Sequence, residues 1–380
     1  MFNKNSNIST GLKMIVLLIF TFKSCYSSKE MADVDKVITV DSLIEEVLFP
    51  EEVYDINIIP LETKSESIIG SIDQIFYAQN RFFIHCLRQR KILIFTEDGK
   101  YVNSIDRFGK GPEEYIELRD FKVDSIGNIY ILSYNKILKY NLAGKFIKDI
   151  RLDFPAISKN RIFSTHFVIF NENNFFLWQG STNLTNEDLD NHHALYHIID
   201  NKLERAYFPV SRRILGNFQR FYKCGNYYNM QTITGEDLVY LITEKGVYPN
   251  FAVDFGKKNL PSDFYPRAID NMGKIYHEVM SNKNYCSFIN SIHETDQFIL
   301  FAFVNGNIDY QALYNKSNST VKVCKINQGS FYSSQIICTT DDGRFIGKIE
   351  PFDFVEQNKS ASSNINVEAN PILIVYKLKN

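Results

Sequence analysis

A repeat of about 45 residues is the feature that most constrains what this chain can fold into. The first copy reads Gln79-Asn80-Arg81-Phe82-Phe83-Ile84-His85, then Lys91-Ile92-Leu93-Ile94-Phe95-Thr96-Glu97-Asp98-Gly99-Lys100-Tyr101-Val102. The second reads Ile126-Gly127-Asn128-Ile129-Tyr130-Ile131-Leu132, then Lys136-Ile137-Leu138-Lys139-Tyr140-Asn141-Leu142-Ala143-Gly144-Lys145-Phe146-Ile147. Each has a turn, an apolar strand, a gap, a second apolar strand, a Gly-Lys turn and a third strand. Asp98-Gly99 and Ala143-Gly144 are hairpin signals between apolar runs. Weaker copies open near Asn171, Gly235, Glu294 and Asp341, and Pro371 to Lys377 ends the last. One such sheet cannot bury both of its faces, whereas packing several around an axis does so and leaves only short edges. The expectation is an all-β chain forming a single six-bladed β-propeller over residues 51–380.

Two details refine that expectation. Val53 to Leu61 alternates apolar and polar residues ahead of the first full copy. Its best use is to complete the last blade and close the ring, because an unpaired strand edge is a liability. Residues 257–284 break the repeat and read as an insertion, with a short helix over Asp270 to Met280. Asn358 to Asn370 is rich in Ser and Asn and reads as an exposed loop in the final blade. The 31 Phe and 22 Tyr suit pleated, half-buried surfaces. With 42 basic against 44 acidic residues, the net charge of -2 offers no basic surface for nucleic acid.

The N-terminus speaks to location. Lys4 and Lys13 precede the apolar run Met14 to Phe20, which is too short to span a bilayer but has the order of a signal peptide. Thr21-Phe22-Lys23-Ser24-Cys25 follows and is similar to the lipobox of bacterial lipoproteins, in which the Cys becomes the lipidated first residue. Lys23 stands where an uncharged small residue is usual; the alternative is a leader with an incidental Cys. The expected plan is a signal peptide over 1–24, then lipidated Cys25 and a polar tether over 25–50. Among Cys86, Cys224, Cys286, Cys324 and Cys338 there is no C-x-x-C spacing. Buried free thiols are the preferred reading, with a Cys324–Cys338 bridge left open.

The Asp-Gly-Lys and Ala-Gly-Lys turns resemble those of six-bladed propeller lipoproteins of Bacteroides-type bacteria, distant relatives of NHL-repeat propellers. Phe108-Gly109-Lys110-Gly111-Pro112-Glu113-Glu114-Tyr115 resembles the Gly-x-Gly-Pro-x-Glu-aromatic loop that follows their first blade. The resemblance implies shape and an envelope location, outer membrane above all, more than an activity.

Catalytic signatures are sparse. Gly109-Lys110-Gly111-Pro112 lacks the strand and helix context of a phosphate loop, so it reads as a blade connector whose glycines supply unusual φ angles. His192, His193 and His197 could suggest a metal. On a strand, however, residues four apart stand about 13 Å apart, too far to share an ion; His197 reads as an ordinary strand residue and His192-His193 as loop. The leading expectation is a non-catalytic module of the cell envelope, a monomer held to the membrane by lipid alone. It would bind an unknown ligand or envelope protein, with no cofactor assigned. Arg107, Lys110, Glu113, Glu114 and Tyr115 are the candidate ligand-binding residues, because that loop joins charge, an aromatic ring and stiffness. The alternative is a hydrolase or lyase with a metal in the central channel.

Overall fold

The computed structural model describes residues 34–43, 53–86, 88–152, 164–179, 193–209, 221–231, 237–261, 272–326, 336–357 and 365–379. It is a six-bladed β-propeller. Blade 1 holds β3 (Gln74–Ala78), β4 (Arg81–Cys86), β5 (Lys91–Thr96) and β6 (Tyr101–Ile105). Blade 2 holds β7 (Asp120–Val123), β8 (Ile129–Ser133), β9 (Lys136–Tyr140) and β10 (Phe146–Arg151). Blade 3 holds β11 (His166–Asn171), β12 (Asn174–Trp178), β13 (His193–Ile199) and β14 (Lys202–Pro209). Blade 4 holds β15 (Phe221–Cys224), β16 (Tyr227–Met230), β17 (Leu238–Thr243) and β18 (Gly246–Asp254). Blade 5 holds β19 (Ser287–Glu294), β20 (Phe298–Asn305), β21 (Ile308–Asn315) and β22 (Val321–Lys325).

The last blade is built from both ends of the chain. It contains β23 (Ile336–Thr339), β24 (Phe345–Ile349) and β25 (Ile372–Leu378), with β2 (Val53–Pro60) as its outermost strand. β2 runs antiparallel to β25, from Val53 against Leu378 to Pro60 against Ile372. This is the expected closure. A second N-terminal strand, β1 (Val37–Thr39), lies inside the stretch expected as tether. It adds parallel to β18 as a fifth strand of blade 4.

Burial explains the strand sequences. The middle strands are covered on both faces by neighbouring blades, so β4, β5 and β20 read as unbroken apolar runs. Outer strands face water, and β10 is largely exposed. Among the described residues, six main core clusters are each shared by two adjacent blades around the ring, and a small seventh lies under the insertion. Two short helices interrupt the pattern. α1 (Met272–Ser281) sits in the insertion, and its Val279 packs on Phe288 and Val304 of blade 5. α2 (Pro351–Gln357) lies in the final blade and buries Phe354 against it.

Three local expectations are corrected. His193 opens strand β13 rather than sitting in a loop. Of the stretch expected as an exposed loop, 358–364 lie outside the described residues and 366–368 are exposed, but its last residue, Asn370, is buried, because its side chain bonds the backbone of residues 62–69. Gly109 and Gly111 do not have positive φ. The Glu114 carboxylate folds back over both, so a Cβ on either glycine would press on that flexible side chain and require it to shift. The five cysteines from Cys86 to Cys338 are free, four of them buried. The signal peptide, Cys25 and His192 lie outside the described residues.

Candidate functional site

In each blade the first strand is the innermost, so β3, β7, β11, β15, β19 and β23 surround the axis and contact one another around it. The axis is not evenly open. On β7, Asp120 and Lys122 are two apart and share a face. The Lys122 Nζ is 2.6 Å from both Asp120 carboxylate oxygens, and the pair is almost fully buried. Its ammonium lies 5.5 Å from the Phe76 ring centre and 5.1 Å from that of Phe167. The Phe167 N–H donates to Asp120 at 3.0 Å. Two buried charges tolerate such a place only when paired and hydrogen-bonded, as here. This plug of charge and aromatic rings fills the side of blades 1 to 3.

Blades 4, 5, 6 and 1 leave space on the other side. An upper cavity of about 420 Å³ lies where the inner strands begin. A lower one of about 520 Å³ lies where they end in their first turns. Phe76, Lys223, Cys338 and Thr339 line both. The two cavities therefore meet at the middle of the channel.

β19 is shaped for the upper cavity. Its pairing with β20 shifts register twice, between Ser287 and Asn290 and between Asn290 and His293. Phe288 and Ser291 sit at φ +59° and +48°, a region that disfavours residues with a side chain. Bulges re-aim side chains, and here Asn290 and Ser291 reach the cavity wall. Tyr222 holds the distortion, its hydroxyl accepting the Ser291 N–H at 2.8 Å.

Several ionisable groups around the cavities are buried or paired. His293 is buried, and its Nε2 donates to the Ile336 carbonyl at 3.1 Å. Burial pushes its pKa down to about 4, so the ring is neutral at pH 7. Burial pushes the Cys224 thiol up to about 11 and the Cys338 thiol up to about 12. Both stay protonated and weakly nucleophilic. In the lower cavity Glu294 is paired with Lys316 at 2.7 Å and accepts from Asn229 at 2.8 Å. Asp342 is paired with Arg344 at 2.9 Å, and Arg344 reaches Glu97 of blade 1 at 3.0 Å. Among the described residues, no three His, Cys, Asp or Glu side chains gather as metal ligands.

The loop singled out in the sequence lies elsewhere. It leads from the outer strand β6 to the inner strand β7, on the face where the upper cavity opens. None of its residues lines either cavity. Tyr115 is fully buried, and its hydroxyl donates to the Arg90 carbonyl at 2.7 Å. Glu114 accepts the Gly111 N–H at 2.8 Å. Arg107, Lys110 and Glu113 are exposed. His197 is a strand residue stacked on Phe176 at 3.9 Å and bonded to Asn174 at 2.8 Å. Sequence reasoning missed Lys223 and β19. Neither carries a motif, and only a Lys on an otherwise aromatic inner strand hints at the first.

The profile of a domain of unknown function, DUF4934, matches residues 33–377. The chain belongs to the DUF4934 family. Among solved structures, a Bacteroides fragilis protein described as exported shares the DUF4934 chain's fold at TM-score 0.74 and 18% identity, covering 91% of this chain and 100% of that one. A DUF4221 family member from Bacteroides vulgatus aligns at TM-score 0.50 and 11% identity, covering 86% and 97%. At these identities the likeness concerns the fold alone. No curated protein matches the sequence.

Proposed function

We propose that this DUF4934 protein is an exported, lipid-anchored binding propeller that takes a small ligand into its central channel. The observation that carries the reading is the one-sided filling of the axis. The Asp120–Lys122 plug closes one side, and two cavities with mixed polar and apolar walls converge on Lys223 on the other. Cavities of this size suit small organic ligands. The buried thiols of Cys224 and Cys338 stay protonated, so neither is an activated nucleophile. Export is supported by the apolar leader and by the description of the Bacteroides fragilis protein. No helix among the described residues is long and apolar enough to cross a membrane. Anchoring rests on Cys25, whose acyl chains would each contribute about 0.8 kcal/mol per buried CH₂. The exposed Arg107, Lys110 and Glu113 offer charge to an envelope partner on the loop that joins blades 1 and 2.

Two measurements test this reading. Wild-type protein should incorporate labelled fatty acid and fractionate with membranes, and Cys25→Ala should do neither while keeping its fold. Unlabelled, soluble wild-type protein would leave a plain exported propeller. A small-molecule thermal-shift screen should give hits that Thr339→Trp abolishes, because that ring fills the point where the cavities meet. A tightly held stoichiometric divalent ion in purified protein would favour the hydrolase or lyase reading instead.

A further inference from the structure

The charge in the upper cavity is unbalanced. Among the described residues, Lys223 and Lys348 line it against one carboxylate, Asp73, whereas the lower cavity, which Lys223 also borders, carries Glu294, Asp296, Asp341 and Asp342. Asp73 already faces the buried His85, Oδ2 to Nδ1, at 3.2 Å. Lys348 has Glu350 nearby at 3.6 Å. Lys223 makes no ion pair or side-chain hydrogen bond among the described residues, although it is half-buried where the cavities meet. An ammonium in a confined, low-dielectric place gains more from a counter-anion than one in water does. The walls around it are mixed. Phe76, Phe221 and Tyr222 supply apolar and aromatic surface, while Gln74, Asn290 and Ser291 supply amide and hydroxyl groups. Asn290 spends its amide N–H on the Phe288 carbonyl at 2.7 Å.

Resting on the channel-binding reading, we propose that Lys223 anchors an anionic organic ligand: an acidic group on its ammonium and an apolar body against Phe76, Phe221 and Tyr222. The acidic group is a carboxylate or a sulfate- or phosphate-type oxyanion, since a point-charge ammonium accepts either. Asn290 and Ser291, delivered by the distorted β19, border the ligand's polar edge.

The test uses a matched pair of fluorescent probes on the purified chain. 8-Anilinonaphthalene-1-sulfonate carries the aryl body and a negative charge; N-phenyl-1-naphthylamine carries the body alone. The charged probe should saturate one site, and its affinity should fall by about tenfold or more in Lys223→Met and Lys223→Gln, the scale of one charge-assisted bond. The neutral probe should bind those variants as it binds wild type. Lys145→Met, in an exposed turn, should change neither. Thr339→Trp should abolish both, with folding checked by the thermal transition. Competition by benzoate against phenyl phosphate then separates the carboxylate from the phosphate source. If both Lys223 variants keep the charged probe's affinity while Thr339→Trp removes both probes, the anion inference is wrong and channel binding stands. If neither probe binds, or both survive Thr339→Trp, the channel reading falls and this inference with it.

Discussion

His293 shows how one buried side chain sets a pH dependence. Its pKa is near 6.5 when unfolded and about 4 when folded. Between those values the unfolded chain binds more protons, so stability falls as pH falls through that window. Lowering the pH from 7 to 5 should cost about 2 kcal/mol through this group alone. His193 and His197, also lowered by burial, act in the same direction. Denaturant midpoints across that range should show the decline, and His293→Gln should flatten it; an unchanged slope would refute the assignment. Asn370 is the other residue with wide effect. It accepts the Ile69 N–H at 2.8 Å and donates to the Glu62 and Ser67 carbonyls at 2.9 and 2.8 Å. Asn370→Ala leaves the Ile69 N–H and the Ser67 carbonyl without this partner, while the Glu62 carbonyl keeps the Ser67 hydroxyl, so it should cost about 2 kcal/mol. Fluorescence of Trp178, the sole tryptophan and fully buried, reads the unfolding.

Among elements, the N-terminal strands matter most. β2 pairs along the whole of β25, and its end abuts blade 1, where the Glu62 N–H donates to the Gly99 carbonyl at 2.9 Å. Gly99 has φ +82°, and a Cβ there would meet the Pro60 carbonyl oxygen at 2.4 Å. The turn of the first repeat therefore needs glycine twice over, for its left-handed backbone and for the closing strand that passes beside it. Deleting residues 51–62 should lower the melting temperature of the whole molecule in one transition; a truncated chain that melts like the intact one would refute the closing role. β1 does a related job. Its Ile38, together with Val40 just beyond it, packs into the cluster shared by blades 4 and 5. Ile38→Asp should destabilise by about 3 kcal/mol, through lost burial and an unpaired buried charge, in the same denaturant assay. The Arg107–Tyr115 loop is a brace. The Tyr140 hydroxyl donates to the Glu113 carbonyl at 2.8 Å while Tyr115 bonds back to blade 1.

At the scale of the molecule, no blade owns its core. Each of the six clusters is shared across a blade boundary, so blades gain stability only from their neighbours. The seam between blades 6 and 1 adds polar ties. Tyr77 donates to Glu97 at 2.8 Å, and Arg344 bonds Glu97 from the other side. Burial, above the other causes, pushes the Tyr77 hydroxyl up to about 12. Tyr77 and Asp342 also line the lower cavity, so the seam that closes the ring shapes part of the channel.

Fold and blade number were legible from residues 79–102 and 126–147, because hairpins are local and a repeated pattern of apolar runs repeats one local solution. The closing strand was legible from its alternation and the lack of a neighbour to pair with. The channel was not. Lys223, Asn290, Cys338 and Phe76 come from four blades and share no sequence pattern, so only closure of the ring brings them together. The 107–115 loop stood out as a motif, yet its glycines and Tyr115 answer to the fit between blades 1 and 2. Local pattern determines strands and turns because their hydrogen bonds span few residues. What lines the axis is decided by which side chains fill it first, and here Lys122, Asp120 and Phe167 close one half and leave the other to Lys223.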